Sequence, residues 1–198
     1  MTTETLSLGE AFSDRKLLHV LCVDVQNVDE LLEKSKAREN NEDDLTFPYA
    51  LIDARIVVSP LQLYTAATCA LQHETAGKLK TRRLHSEIVF CMSPSGNVND
   101  SLIKCGITPD TTAFVLMAVD ADEKAYNALL DTIQGRKLVV SAETLVDYAK
   151  YDHINSVYKL DKLNATFNGQ DAISLQSDQS ICNLAGMVVS KIACQDMV

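Results

Sequence analysis

A chain of 198 residues, 46% of them hydrophobic, can bury a real core and reads as one domain with loose ends. Its formal charge of -9 argues against general affinity for polyanions. The polar N-terminal stretch shows no secretory pattern, and no apolar run approaches the length needed to span a bilayer. A soluble protein of cytoplasm and nucleus, with no membrane partner, is therefore expected.

Residues 1–15 are polar and are expected to form a flexible N-terminal arm, with a single domain over 16–198. Lys16–Val25 (K-L-L-H-V-L-C-V-D-V) is almost continuously apolar and β-rich, which predicts a buried strand. Asn27 then caps a helix carrying Val28, Leu31 and Leu32 on one face. The acidic stretch Arg38–Asp44 follows as a solvated loop.

A second β-like run covers Ala50–Val58. Ser59-Pro60 supplies an N-cap and a proline at the first helical position. The helix continues to about Glu74, with Leu61, Tyr64, Cys69 and Leu71 partly buried, and Gly77 stops it. Glu87–Met92 suits a strand, although Ser86 could instead cap a short helix; so few residues leave both open.

S-P-S-G-N (Ser93–Asn97) makes a turn, and Asn97 caps a helix that ends at Gly106. Thr112–Val119 is the clearest central strand. Glu123–Ile133 is a helix, Gly135 a stop and Leu138–Val140 a short strand. Ser141 begins another helix, and Tyr151–Leu160 is helical. Asn164–Ser180 is polar and turn-prone, and a last apolar helix begins near Ile181. Strands alternating with helices predict an α/β (α+β) fold, a small mixed sheet covered by helices.

Two features stand out. Lys78, Lys80, Arg82 and Arg83 form a basic cluster, with no acid between Glu74 and Glu87. On an acidic chain such a spot points to one chosen anionic contact, while positive charge beyond a helix C-terminus also suits the helix dipole. The second feature is the last helix, where Leu184, Val188 and Ile192 continue a stripe from Ile181, with Leu175 and Met187 nearby. That stripe packs on the chain's own core or, as a partner-binding surface, on another protein.

Signatures of chemistry are missing: there is no Walker loop, G-x-S-x-G or H-E-x-x-H. The six cysteines form no C-x-x-C and read as buried reduced thiols, so neither metal nor cofactor is expected. His19 reads as a core histidine. Asp120 and Asp122 sit where a helix cap is the simplest use. A Cys–His site around Cys91 and His85 is the enzymatic alternative.

L-K-T-R-x-L-x-S-E-I-x-F-x-x-S-P over Leu79–Pro94 and N-x-x-x-S-L-x-K-x-G-I over Asn97–Ile107 closely resemble the PRPK-binding-protein family, accessory subunits of the EKC/KEOPS complex. V-V-S-P-L-Q, V-Y-K-L and the closing I-C-N-L-A-G-M-V-V-S-K-I-A-C-Q-D-M-V are similar to family segments too, so the resemblance spans roughly Lys16–Val198. It implies a non-catalytic subunit that binds the small kinase PRPK directly and other EKC/KEOPS subunits indirectly. The complex installs threonylcarbamoyl on adenosine 37 of tRNA. Some members bind the 3′ CCA tail of tRNA, which would give Lys78, Lys80, Arg82 and Arg83 phosphates to meet. The alternative within this reading is a protein-only regulator of the kinase without RNA contact.

Overall fold

In the computed structural model, which describes residues 4–7, 12–39, 49–160 and 178–194, the sheet is assembled around the strand expected from Lys16 onward. Glu4–Ser7 (β1) pairs antiparallel with Lys16–Val23 (β2), Glu4 opposite His19 and Ser7 opposite Lys16. A strand thus lies within the stretch expected to be a loose arm. An edge strand needs only backbone pairing, which a polar sequence can supply.

Beyond β2 come the helix Val28–Glu39 (α1) and the strand Ala50–Asp53 (β3). Phe114–Val119 (β4) is central, lying between β2 and β3 with every residue buried. Arg136–Leu138 (β5) pairs with Leu21–Val23, on the edge of β2 that β1 occupies further back. Every strand pairing among the described residues is antiparallel. The α+β expectation holds, with an antiparallel sheet in place of a mixed one.

Two strand ends differ from expectation. β3 stops at Asp53, opposite Phe114, where β4 begins; the next residues lack a ladder partner and turn into the 3-10 segment Ala54–Ile56. β5 begins two residues early because Gly135 brings its backbone against β2. A Cβ there would lie 2.6 Å from the Val23 carbonyl oxygen, so only glycine permits the approach.

The domain expected over 16–198 comprises two compact units, Met1–Asp53 with Gly106–Val140, and Ala54–Cys105 with Ser141–Val198. In the first, α1 and the helix Glu123–Thr132 (α5) cover one sheet face. Leu18, Val20 and Cys22 of β2 and Phe114, Leu116 and Ala118 of β4 meet Leu31, Tyr126 and Leu130 there. Burial pushes the Cys22 thiol from 9.0 up to about 12, and burial also raises the Tyr126 phenol. Asn27 precedes α1, but its side chain serves another contact than the expected cap. Its side-chain oxygen accepts the Gln134 N–H at 2.9 Å and its amide donates to the Thr132 carbonyl at 3.0 Å, joining α1 to the end of α5.

The second unit is helical: Pro60–Thr75 (α2), Leu84–Cys91 (α3), Val98–Cys105 (α4), Ala142–Val146 (α6), Tyr151–Tyr158 (α7) and Asp178–Ala193 (α8). Ser59 caps α2 as expected, its hydroxyl accepting the Gln62 N–H. Gln62 is wholly buried: it accepts the Val58 N–H at 2.9 Å and donates to the Ile56 carbonyl at 3.0 Å and the Tyr158 hydroxyl at 2.8 Å. The Tyr158 hydroxyl in turn donates to the Met92 carbonyl, and complete burial holds its pKa well above the usual phenol range. One polar network therefore ties the 3-10 segment, α2, α7 and the end of α3, with each buried group satisfied by another.

Small residues Ala66, Ala67 and Ala70 line the buried face of α2, and α8 packs along this helix. Leu61, expected to be partly buried, faces the other way and is 59% exposed. The expected polar segment Asn164–Ser180 lies outside the described residues through 177, as do Leu175 and most of the acidic stretch Arg38–Asp44. No helix among the described residues is long and apolar enough to cross a membrane.

Candidate functional site

The basic cluster sits on a short loop between two helices. Gly77 ends α2 at φ 65°, its N–H bonding the Glu74 carbonyl, while the Lys78 N–H reaches back to the His73 carbonyl at 2.8 Å. This pair of bonds is a Schellman motif, and its geometry requires the left-handed residue that glycine supplies. The chain leaves α2 with Lys78 exposed and Lys80 and Arg82 exposed beyond it; Arg83, half-buried, is the N-cap of α3.

The strand considered at Glu87–Met92 is instead the greater part of α3. The β-branched, aromatic run looks strand-like, but the buried positions Leu84, Ile88 and Cys91 recur at helical spacing. Tertiary packing outweighs local propensity here. The helix also carries Glu87 inward, where it is wholly buried.

That acid organises the basic loop. Glu87 Oε2 accepts the Thr81 N–H and the Thr81 hydroxyl, each at 2.7 Å, and the Lys80 N–H at 3.1 Å. Its Oε1 lies 2.7 Å from His73 Nδ1 in the last turn of α2. Several donors on one carboxylate let it stay buried, and charge-assisted bonds of this kind are the stronger ones. Above the anchor, the Lys80 ammonium lies 5.3 Å from the centre of the Phe90 ring. The result is a cationic rim on an acidic, hydrogen-bonded base.

The structure gathers Lys78, Lys80, Arg82 and Arg83 on this one loop. The other sequence-predicted residues are elsewhere and have a different role. Leu184, Val188 and Ile192 are all 0% exposed in α8, so they form core and are not presented to a partner. The correction follows from helical geometry: the strongest apolar stripe is the one the chain uses to dock α8 on itself. Cys182 and Gly186 are exposed, and Ala185 and Val189 are half-buried on its remaining surface. The large exposed apolar side chains among the described residues are Leu61 and Ile103, on α2 and α4. Neither was picked out as a surface residue from sequence, because periodicity marks an apolar residue as inward by default.

Other sequence readings are resolved simply. Asn97 accepts the Asp100 N–H at 3.1 Å and caps α4, and Asp122 caps α5 through the Ala125 N–H at 2.9 Å. His19 is buried in β2. The histidine near Cys91 is His73, whose Nδ1 lies 3.9 Å from the Cys91 sulfur, rather than the His85 considered from sequence. Among the described residues, His73, Glu87 and Cys91 are the group whose donor atoms converge as metal ligands do.

The sequence model of the family described as kinase binding protein CGI-121 matches residues 22–196. The chain belongs to this family. Similar relatives include an Eremothecium gossypii protein named EKC/KEOPS complex subunit CGI121, 32% identical over 155 residues, 75% of this chain and 82% of the relative. A Gibberella zeae protein of the same name is 29% identical over 96% of this chain and 98% of its own length. A Danio rerio protein named EKC/KEOPS complex subunit TPRKB is 27% identical over 89% of this chain and 93% of its own length. The CGI-121 match takes in the basic loop and its Glu87 anchor, together with α2, α4 and α8.

Proposed function

We propose that this chain is a non-catalytic subunit of an EKC/KEOPS-type complex, binding the complex's small kinase directly and supporting threonylcarbamoyladenosine formation at position 37 of tRNA in cytoplasm and nucleus. The observation that carries the reading is the kinase-binding family match over residues 22–196. The other subunits would be reached through the kinase. With Leu184, Val188 and Ile192 inside, Leu61 and Ile103, 59% and 70% exposed, are the large exposed apolar side chains among the described residues and the anchors offered to the kinase.

The test is co-purification of the kinase with wild type and with a Leu61→Asp, Ile103→Asp variant. Both positions are exposed, so the variant should keep its fold, checked by circular dichroism. Wild type should retain the kinase and the variant should lose it. Retention by both moves the contact elsewhere on the surface. Failure of wild type overturns the kinase reading.

The loop Lys78–Arg83 would meet the 3′ CCA tail of tRNA, with phosphates on the cations. The formal charge of -9 favours a second reading, regulation of the kinase with no RNA contact. Lys80→Glu with Arg82→Glu separates them. Loss of tRNA modification with the kinase complex intact supports the RNA role; unchanged modification supports the protein-only role.

A further inference from the structure

We propose that His73, Glu87 and Cys91 form a binding site for a zinc-class divalent ion beneath the basic loop. The imidazole Nδ1, a carboxylate oxygen and the thiol sulfur all lie within 4.8 Å of one another, and all three residues are buried. Glu87 and Cys91 stand four positions apart on α3, one helical turn, so they share a face. His73 reaches that face from the last turn of α2.

The donor set selects the ion. Nitrogen, sulfur and one carboxylate suit zinc and its borderline neighbours, whereas calcium and magnesium require shells built from oxygen. The charge balance suits a dication as well. A thiolate and a carboxylate together cancel two positive charges, so a buried ion would leave no net charge in the interior.

Two of the three spacings are close to those of a bound ion. Ligands bound at about 2.0–2.3 Å in a tetrahedral site stand on the order of 3–4 Å from one another. Cys91 and His73, at 3.9 Å, already meet this spacing. His73 Nδ1 and Glu87 Oε1, at 2.7 Å, now share a hydrogen bond and would open by about half an ångström. On binding, Nδ1 gives up its hydrogen and the Cys91 thiol its proton, which makes affinity rise with pH. Solvent entering beside His73, whose side chain is 10% exposed, would complete the shell.

A supporting shell is already built. Thr81 holds Glu87 Oε2 through both its N–H and its hydroxyl, while Oε1 faces His73 at 2.7 Å and takes a longer bond from the Lys80 N–H at 3.2 Å. Such outer hydrogen bonds orient a ligand and strengthen the site. The ion would then cross-link α2 to α3 and fix the base on which Lys80 stands.

The experiment uses the full chain, stripped with a chelator and titrated with cobalt(II) and then zinc(II). One cobalt per chain should bind with a thiolate-to-metal charge-transfer band in the near ultraviolet, and zinc should displace it and raise the melting temperature. Cys91→Ser should abolish the band, Thr81→Val should weaken cobalt binding by about 10–100-fold, and Cys194→Ser, at an exposed thiol, should change nothing. If Cys91→Ser does not fold, His73→Gln takes its place. The absence of a charge-transfer band in folded wild type overturns the proposal, as does a band that survives loss of Cys91 or vanishes with Cys194→Ser.

Discussion

The buried carboxylate of Glu87 holds the backbone N–H of Thr81 at 2.7 Å, so the loop that carries four basic residues is fixed from beneath by an acid. The loop is therefore held through the Lys80 and Thr81 N–H groups and the Thr81 hydroxyl, all on one buried acid. Lys80, Thr81 and His73 all converge on the same group.

Glu87→Gln tests that anchor with almost no change in size. The amide offers one acceptor oxygen where the carboxylate offers two, so with that oxygen on Thr81 its NH2 would stand where Oε1 now meets His73 and the Lys80 N–H. The cost should be about 1.5–3 kcal/mol. Denaturant unfolding should show the lower midpoint, and amide exchange at Lys80 and Thr81 should accelerate more than elsewhere. Unchanged exchange at those two amides would refute the anchoring role.

Two substitutions on α8 should act in opposite directions. Leu184→Ala removes a wholly buried side chain and should destabilise by about 2–5 kcal/mol, whether or not a partner is present. At Gly186 an added Cβ meets nothing within 4 Å, so Gly186→Ala should stabilise by about 1 kcal/mol through helix propensity. Equilibrium unfolding of the isolated chain checks both, and equal effects would contradict the orientation of the helix.

Alkaline pH should weaken the fold through Cys22. Its pKa is about 12 in the folded chain against an ordinary 9.0, because burial disfavours the thiolate. Between those values the unfolded chain has released the proton and the folded chain has not, so stability falls as pH rises. The contribution is fully present below pH 9.0 and declines towards about 12, on the order of 1 kcal/mol per pH unit. Cys22→Ala should flatten the first part of that decline in unfolding measured across the alkaline range. An identical slope in wild type and variant would remove Cys22 as a cause.

Local signals in the sequence were informative wherever the chain's own neighbours decide the structure. Ser59-Pro60 started α2, Gly77 ended it, Asn97 and Asp122 capped their helices, and the apolar runs from Lys16 and Thr112 became the paired strands at the sheet's centre. The misses came where distant packing decides. The α3 segment left strand and helix both open, because Ile88, Val89 and Phe90 favour a strand while Ser86 could cap a helix, and packing of its buried residues decides for the helix. Glu87 marked the edge of the basic cluster in the sequence, yet it is the cluster's foundation. Read as a strand, Glu87 and Cys91 would lie far apart; the helix brings them within one turn and next to His73. The stripe Leu184, Val188 and Ile192 was visible from sequence, but a stripe does not say which surface covers it.

The two units are threaded through one another along the chain, and this sets an order for biosynthesis. α2, α3 and α4 leave the ribosome early, but the helix that covers α2 is encoded far downstream, after the whole of Gly106–Val140. Until α8 emerges, α2 has α3 beside it but lacks the second helix that packs along it, and incompletely covered apolar surface of this kind is what chaperones bind. A ribosome that stopped short of Leu184 would release a protein carrying every residue of the basic loop and an open helical core.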